Sequence, residues 1–336
     1  MTRILNAYSI IFFLAVFITG QVKANDDFKS EKKKTYTKTY AVNSSERVKF
    51  DNRFGEVKIN IWDKNEVKVD ITMIGKANSD DVAQEVLDRI KIEDGKNSSG
   101  VYFKTLLGDD QDWPKGNKYN KTGFSIDYVI YMPANNPLTV ENEFGKTFIP
   151  DYKGEITINQ KFGQLTAGKL SNTKKVHIEF SGGSTIESIN GGQLDISFSR
   201  AEVSKLSGTI KAKFEHNGGV KLGIDNELKQ LTVNNNFNEL FLDVSKNLSA
   251  NFTIHTNFSE LDNNTSFSIK EKDEDEDSHG PKFDHDYSGK AGSGTIPIKI
   301  NSEFGEVTIG HDIKFDVSEK EDKENKHKEK KKTRVV

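Results

Sequence analysis

A chain of 336 residues with 34% hydrophobic and 29% charged content is long enough for one large or two ordinary domains, yet too polar for one ball-shaped core. A stacked repeat tolerates that balance, because its core is a thin continuous seam. The net charge of −3 excludes bulk attraction to nucleic acid, and the absence of cysteine excludes disulfides, a thiol nucleophile, Cys-based metal sites and a lipid-modified N-terminal cysteine.

Residues 1–24 read as a secretory signal peptide. Arg3 supplies the positive start, Ile10 to Ile18 the apolar stretch, and Val22-Lys23-Ala24 the small-residue cleavage site. The stretch is too short for a stable membrane span, and no later segment is apolar enough to cross a bilayer. The expectation is an exported protein of the periplasm, the outer cell envelope or the extracellular space. Residues 25–35 read as a polar, lysine-rich linker.

Residues 36–137 form an N-terminal strand region. Val48-x-Phe50-x-Asn52-x-Phe54, Val57-x-Ile59-x-Ile61 and Val67-x-Val69-x-Ile71 alternate with a period of two, with Gly, Asp and Asn between them. A short helix is expected over 79–92: Ser79 as N-cap, Asp80 and Asp81 in the first turn, and Val82, Val86, Leu87 and Ile90 as the apolar stripe. Gly95 to Gly123 is turn-rich apart from a strand at Val101–Leu107. Phe124-x-Ile126-x-Tyr128-x-Ile130 resumes the strand pattern until Pro133.

A regular repeat is expected over 138–316. Phe144, Phe162, Phe180 and Phe198 recur every 18 residues, and Phe214, Phe237 and Phe258 continue the series at spacings of 16, 23 and 21. Each closes an alternating run such as Val176-x-Ile178-x-Phe180, and Gly or a small polar residue usually follows. Strand alternation puts Ile178 and Phe180 on one face, so the phenylalanines are expected to form an inward ladder that belongs to the core. The competing reading makes them an outward row of stacking platforms for sugars or bases. Gly and Ser after each Phe are read as the residues that permit the turn. His177, His216 and His255, spaced 39 and 39, are expected to face solvent.

Residues 270–294 read as an acidic loop. Asp273, Asp275, Asp277, Asp284 and Asp286 are candidate ligands for a hard cation, but they lack the spaced pattern of a calcium loop, and a solvated charged loop is the preferred reading. No catalytic or cofactor-binding residue stands out. Ser302-Glu303-Phe304-Gly305-Glu306-Val307 copies Asn52-Arg53-Phe54-Gly55-Glu56-Val57, and 317–336 is a lysine/glutamate tail.

Together the signal peptide, Asn52 to Trp62 (Asn-x-Phe-Gly-x-Val-x-Ile-x-Ile-Trp), the short helix, the strand ending Tyr131-Met132-Pro133 and the repeated x-Phe-Gly units resemble a bacterial putative-adhesin, β-strand-repeat family of unknown function. The style is that of Bacteroidetes envelope proteins, and the resemblance covers about 36–316. It implies an all-β, parallel β-helix-like solenoid with one short helix near the N-terminal part, and brings no catalytic residues. The expected function is that of a secreted, non-enzymatic binding, adhesin-like or structural protein of the cell envelope. Its partner would be a surface polysaccharide or an envelope protein, with no cofactor and no nucleic acid. The alternative is a β-helix protein that binds or cleaves polysaccharide.

Overall fold

The computed structural model describes residues 28–108, 121–272 and 283–318. Its architecture is all-β with one helix. The first strand, β1 (Ser30–Ala41), starts within the expected linker; among the described residues it is an edge strand paired with β4 alone, and it carries Lys32, Lys33, Lys34 and Lys38. After it come β2 (Val48–Arg53), β3 (Val57–Ile61) and β4 (Glu66–Ala77).

Helix α1 (Asp80–Asp88) is shorter than expected. Ser79 precedes it in extended conformation without a side-chain cap, and Arg89 ends it. From Ile90 the chain is a strand, β5 (Ile90–Asn97), antiparallel to β6 (Gly100–Leu107). Ile90 therefore enters the core from a strand, and the helical stripe is confined to Val82, Val86 and Leu87. β7 (Thr122–Met132) runs antiparallel to β4.

The repeats follow as β8 (Leu138–Glu143), β9 (Lys146–Ile149), β10 (Tyr152–Lys161), β11 (Gln164–Glu179), β12 (Gly182–Ser197), β13 (Arg200–Glu215) and β14 (Gly219–Asn236). Each pairs parallel to the equivalent strand of the next repeat. Ile158 lies beside Val176, Val176 beside Leu194 and Leu194 beside Ala212, the 18-residue period of the sequence. All four side chains are buried, since no repeat covers its own apolar face and only a neighbour can.

Stacking order departs from chain order at both ends. β2 pairs with β8 and β3 contacts β9, so residues 48–61 are the first repeat, and β4 to β7 are an excursion inserted before the second. The C-terminal elements are β15 (Glu239–Val244), β16 (Ala250–Asn257), β17 (Glu260–Asn263), β18 (Ser268–Glu271), β19 (Asp284–Ala291), β20 (Ile296–Glu303) and β21 (Glu306–Gly310). β20 sits between β14 and β16, and β21 between β15 and β17. The unit carrying Phe304 is thus inserted ahead of the unit carrying Phe258. β19 closes that end by running antiparallel to β16 and β18, so part of the expected acidic loop is ordered sheet.

Candidate functional site

Apart from Phe214, the recurring phenylalanines do not line the core. Phe144, Phe162, Phe180, Phe198, Phe237, Phe258, Phe283 and Phe304 are each 41–50% exposed. The alternation argument fails at one dihedral angle. Phe54, Phe144, Phe162, Phe180, Phe198, His216, Phe237, Phe258 and Phe304 all have φ between 46° and 62°. A left-handed residue ends the extended alternation, so Ile178 points in while Phe180, two positions on, points out.

Each corner still keeps the sheet's hydrogen bonding. Phe144 N–H donates to Lys161 O at 3.0 Å, Phe162 N–H to Glu179 O at 3.0 Å, and Phe198 N–H to Glu215 O at 3.0 Å. The strand spacing is therefore imposed on the rings. Phe54, Phe144, Phe162, Phe180 and Phe198 stack face to face with centroids 4.7–4.8 Å apart. His216, Phe237, Phe304, Phe258 and Phe283 continue the row at 4.3–5.2 Å. Nine steps of about 4.8 Å make a row roughly 43 Å long.

His216 occupies the rung expected of Phe214, which is buried. The strict period could have found this, because 198 plus 18 is 216. His177 lies beside Glu179 at 3.5 Å, and His255 faces Asp286 with Nδ1 3.3 Å from Oδ1.

The glycine after the corner is not the left-handed residue. Gly55, Gly145, Gly163 and Gly305 are absent from the positive-φ set. Their role is close approach: a Cβ on Gly145 would lie 1.8 Å from Gly55 O, and one on Gly163 1.9 Å from Gly145 O.

Beneath the corner, two positions point inward, the residue two before the ring and the residue one after it. A polar group occupies at least one of them in every repeat. Asn52, Asn142, Gln160 and Ser302 go with glycine after the ring; Ile178, Ile196 and Phe214 go with Ser181, Ser199 and Asn217. The need is to satisfy buried backbone at the corner. Gln160 Nε2 donates to Gly145 O at 2.8 Å, Asn142 Nδ2 to Gly55 O at 3.2 Å, and Ser259 Oγ to Gly305 O at 2.9 Å. Ser181 Oγ donates to Gly163 O.

The sheet surfaces flanking the row carry ion pairs, Arg53–Glu143 at 2.9 Å, Lys161–Glu179 at 2.9 Å and Lys175–Asp195 at 2.8 Å. The hydrogen bond from Lys161 holds the Glu179 carboxyl below its ordinary range. Of the candidate cation ligands, Asp273, Asp275 and Asp277 lie outside the described residues. Asp284 accepts a hydrogen bond from Asn257, and Asp286 faces His255. Among the described residues no three His, Asp or Glu side chains converge as a metal site would need. The signal-peptide reading of 1–24 and the tail beyond residue 318 also lie outside them. No described helix is long and apolar enough to cross a membrane.

No family model matches the sequence, and no curated protein matches it. The chain is similar to solved structures described as adhesins. One is a "putative adhesin" from Bacteroides fragilis, 9% identical, covering 82% of this chain and 97% of that one with a TM-score of 0.39. Another is a "putative cell adhesion protein" from Clostridium sporogenes, 13% identical, covering 83% and 100% with a TM-score of 0.22. A third is a "putative adhesin" from Parabacteroides distasonis, 12% identical, covering 83% and 97% with a TM-score of 0.27. At these identities and scores they transfer no residue role.

Proposed function

We propose that this is an exported, non-enzymatic β-solenoid acting as an adhesin-like binding or structural protein of the cell envelope, with the external aromatic row as its docking strip. The single observation that carries the reading is the exposure of eight phenylalanines in one line. Taking about 200 Å² for a phenylalanine, they present roughly 700 Å² of apolar surface. That exceeds the largest patch of an ordinary monomer, and such patches mark interaction sites.

A sugar ring would need an open aromatic face to stack upon. Within the row each face is covered by the neighbouring ring, and along its length only ring edges are free. The strip therefore suits a protein surface of the envelope better than a polysaccharide. The test is a binding screen of the protein on bacterial cells, envelope extracts and glycan arrays, beside the Phe162→Ser/Phe180→Ser double variant. Binding to cells or envelope protein that falls at least tenfold in the variant supports the reading. Undiminished binding removes the strip from the function, and glycan binding independent of the strip returns the polysaccharide alternative.

A further inference from the structure

We infer that the aromatic row is the interface of a two-fold dimer, in which the rows of two copies lie antiparallel and edge to edge. The inference rests on the reading of the row as a docking strip and names its occupant, a second copy of this chain.

Three observations carry it. The first is area. The roughly 700 Å² of exposed phenylalanine approaches the ~800 Å² that each partner buries in an interface of standard size. The side chains flanking the row make up the remainder.

The second is the way the row ends. Phe124 stands edge-on against Phe54, with centroids 4.9 Å apart and planes at 63°, so a further ring cannot stack there. At the other end the row finishes on Phe283, just ahead of β19, which runs antiparallel to β16. Head-to-tail growth needs both ends open, so the edge-on Phe124 is enough to block it, and the long free surface is lateral. A lateral contact between identical strips closes on itself under two-fold symmetry.

The third is charge. In spatial order the rings are Phe54, Phe144, Phe162, Phe180, Phe198, His216, Phe237, Phe304, Phe258 and Phe283. An antiparallel copy centred between Phe198 and His216 sets Phe162 opposite Phe304 and Phe144 opposite Phe258. An in-plane two-fold also keeps each flank on its own side. Lys146, two residues after Phe144, then meets Glu260, two residues after Phe258. Lys161, just before Phe162, meets Glu303, just before Phe304. No two like charges from these flanking positions meet.

Lys146, Glu260 and Glu303 make no ion pair within the described chain. A parallel arrangement would instead set Glu303 against Glu306 and gather Glu239, Glu260, Glu303 and Glu306 of both copies at one end. Repulsion of that kind selects orientation.

The experiment is sedimentation equilibrium with size-exclusion light scattering on the purified protein. The expected result is a dimer that weakens at least tenfold in Phe162→Lys and in Phe304→Lys, with circular dichroism confirming that the sheet persists. Lys146→Glu should also weaken it, and Lys146→Glu with Glu260→Lys should restore it, because the pair is regenerated across the interface. A monomer at all concentrations up to about 100 µM overturns the inference, as does a dimer indifferent to the ring substitutions. A charge swap that fails to rescue overturns the antiparallel register. Should the protein be monomeric while Phe162→Ser/Phe180→Ser still abolishes cell binding, self-association fails and the docking strip stands. If the dimer behaves as expected and cell binding does not depend on the strip, the strip's role as a docking surface for cells fails and the dimer stands.

Discussion

At each corner of the repeat, one side chain does what that residue type ordinarily avoids. A left-handed residue of this kind costs about 1–2 kcal/mol, and nine corners carry one, eight phenylalanines and His216. Offset aromatic contacts return about 0.5–1.5 kcal/mol per pair, so the strained backbone and the ring row sustain each other. Phe180→Val should cost more than Phe180→Asn, by about 1–2 kcal/mol in urea unfolding, because a β-branched residue fits the left-handed region worst and Asn tolerates it. The glycines divide sharply at the same scale. Gly145→Ala forces a Cβ into the Gly55 carbonyl and should destabilise by about 3 kcal/mol or more. Gly182→Ala meets nothing within 4 Å and should be near neutral.

Elements are held together by polar contacts that hydrophobic patterning does not announce. Tyr36 and Tyr40 on β1 both donate to Asp94 on β5, tying the edge strand to the sheet beneath it. Burial first, and the Asp94 carboxylate second, hold both phenols well above their ordinary range. Burial does the same to Tyr128 and Tyr152. A raised folded-state pKa means the neutral phenol is favoured by folding. The stabilisation is therefore complete below pH 10, where unfolded tyrosine begins to ionise, and is lost as pH climbs toward the folded values. Stability measured by denaturant should fall progressively above pH 10, and Asp94→Ala should reduce the part of that slope due to Tyr36 and Tyr40. Within the ring row, His216 is the one imidazole, and His216→Phe should raise stability by about 0.5 kcal/mol in the same assay.

For the whole molecule, the consequence of stacking is that stability is shared between neighbours. β20 is paired on both sides, by β14 and β16, although neither β14 nor β16 adjoins it in sequence. Ile300→Asp buries a charge beside Val233 and Ile254 and should cost about 4 kcal/mol or more. Hydrogen exchange should then show lost protection in Ala250–Asn257 as well as in Ile296–Glu303, while Val48–Arg53, at the far end of the stack, keeps its own.

The strands and their period were legible in the sequence, because a buried face on a two-residue alternation leaves its mark wherever it occurs. Ile158, Val176, Leu194 and Ala212 are inside as the alternation requires. Helix α1 was legible through Val82, Val86 and Leu87, but its end was not, since Ile90 and Ile92 suit a strand as well as a helical stripe. Two things were decided only by the tertiary structure. One is the order of stacking: pairing β20 between β14 and β16 depends on which apolar face finds which neighbour, and several repeats offer the same face. The other is the side on which the phenylalanines lie. Alternation predicts a side chain's direction only while the backbone stays extended, and one left-handed φ at each corner reverses it. The recurring phenylalanine that patterning assigns to the core is therefore the exposed strip of the molecule, and beneath each corner at least one inward position holds a polar side chain such as Asn142, Gln160 or Ser181.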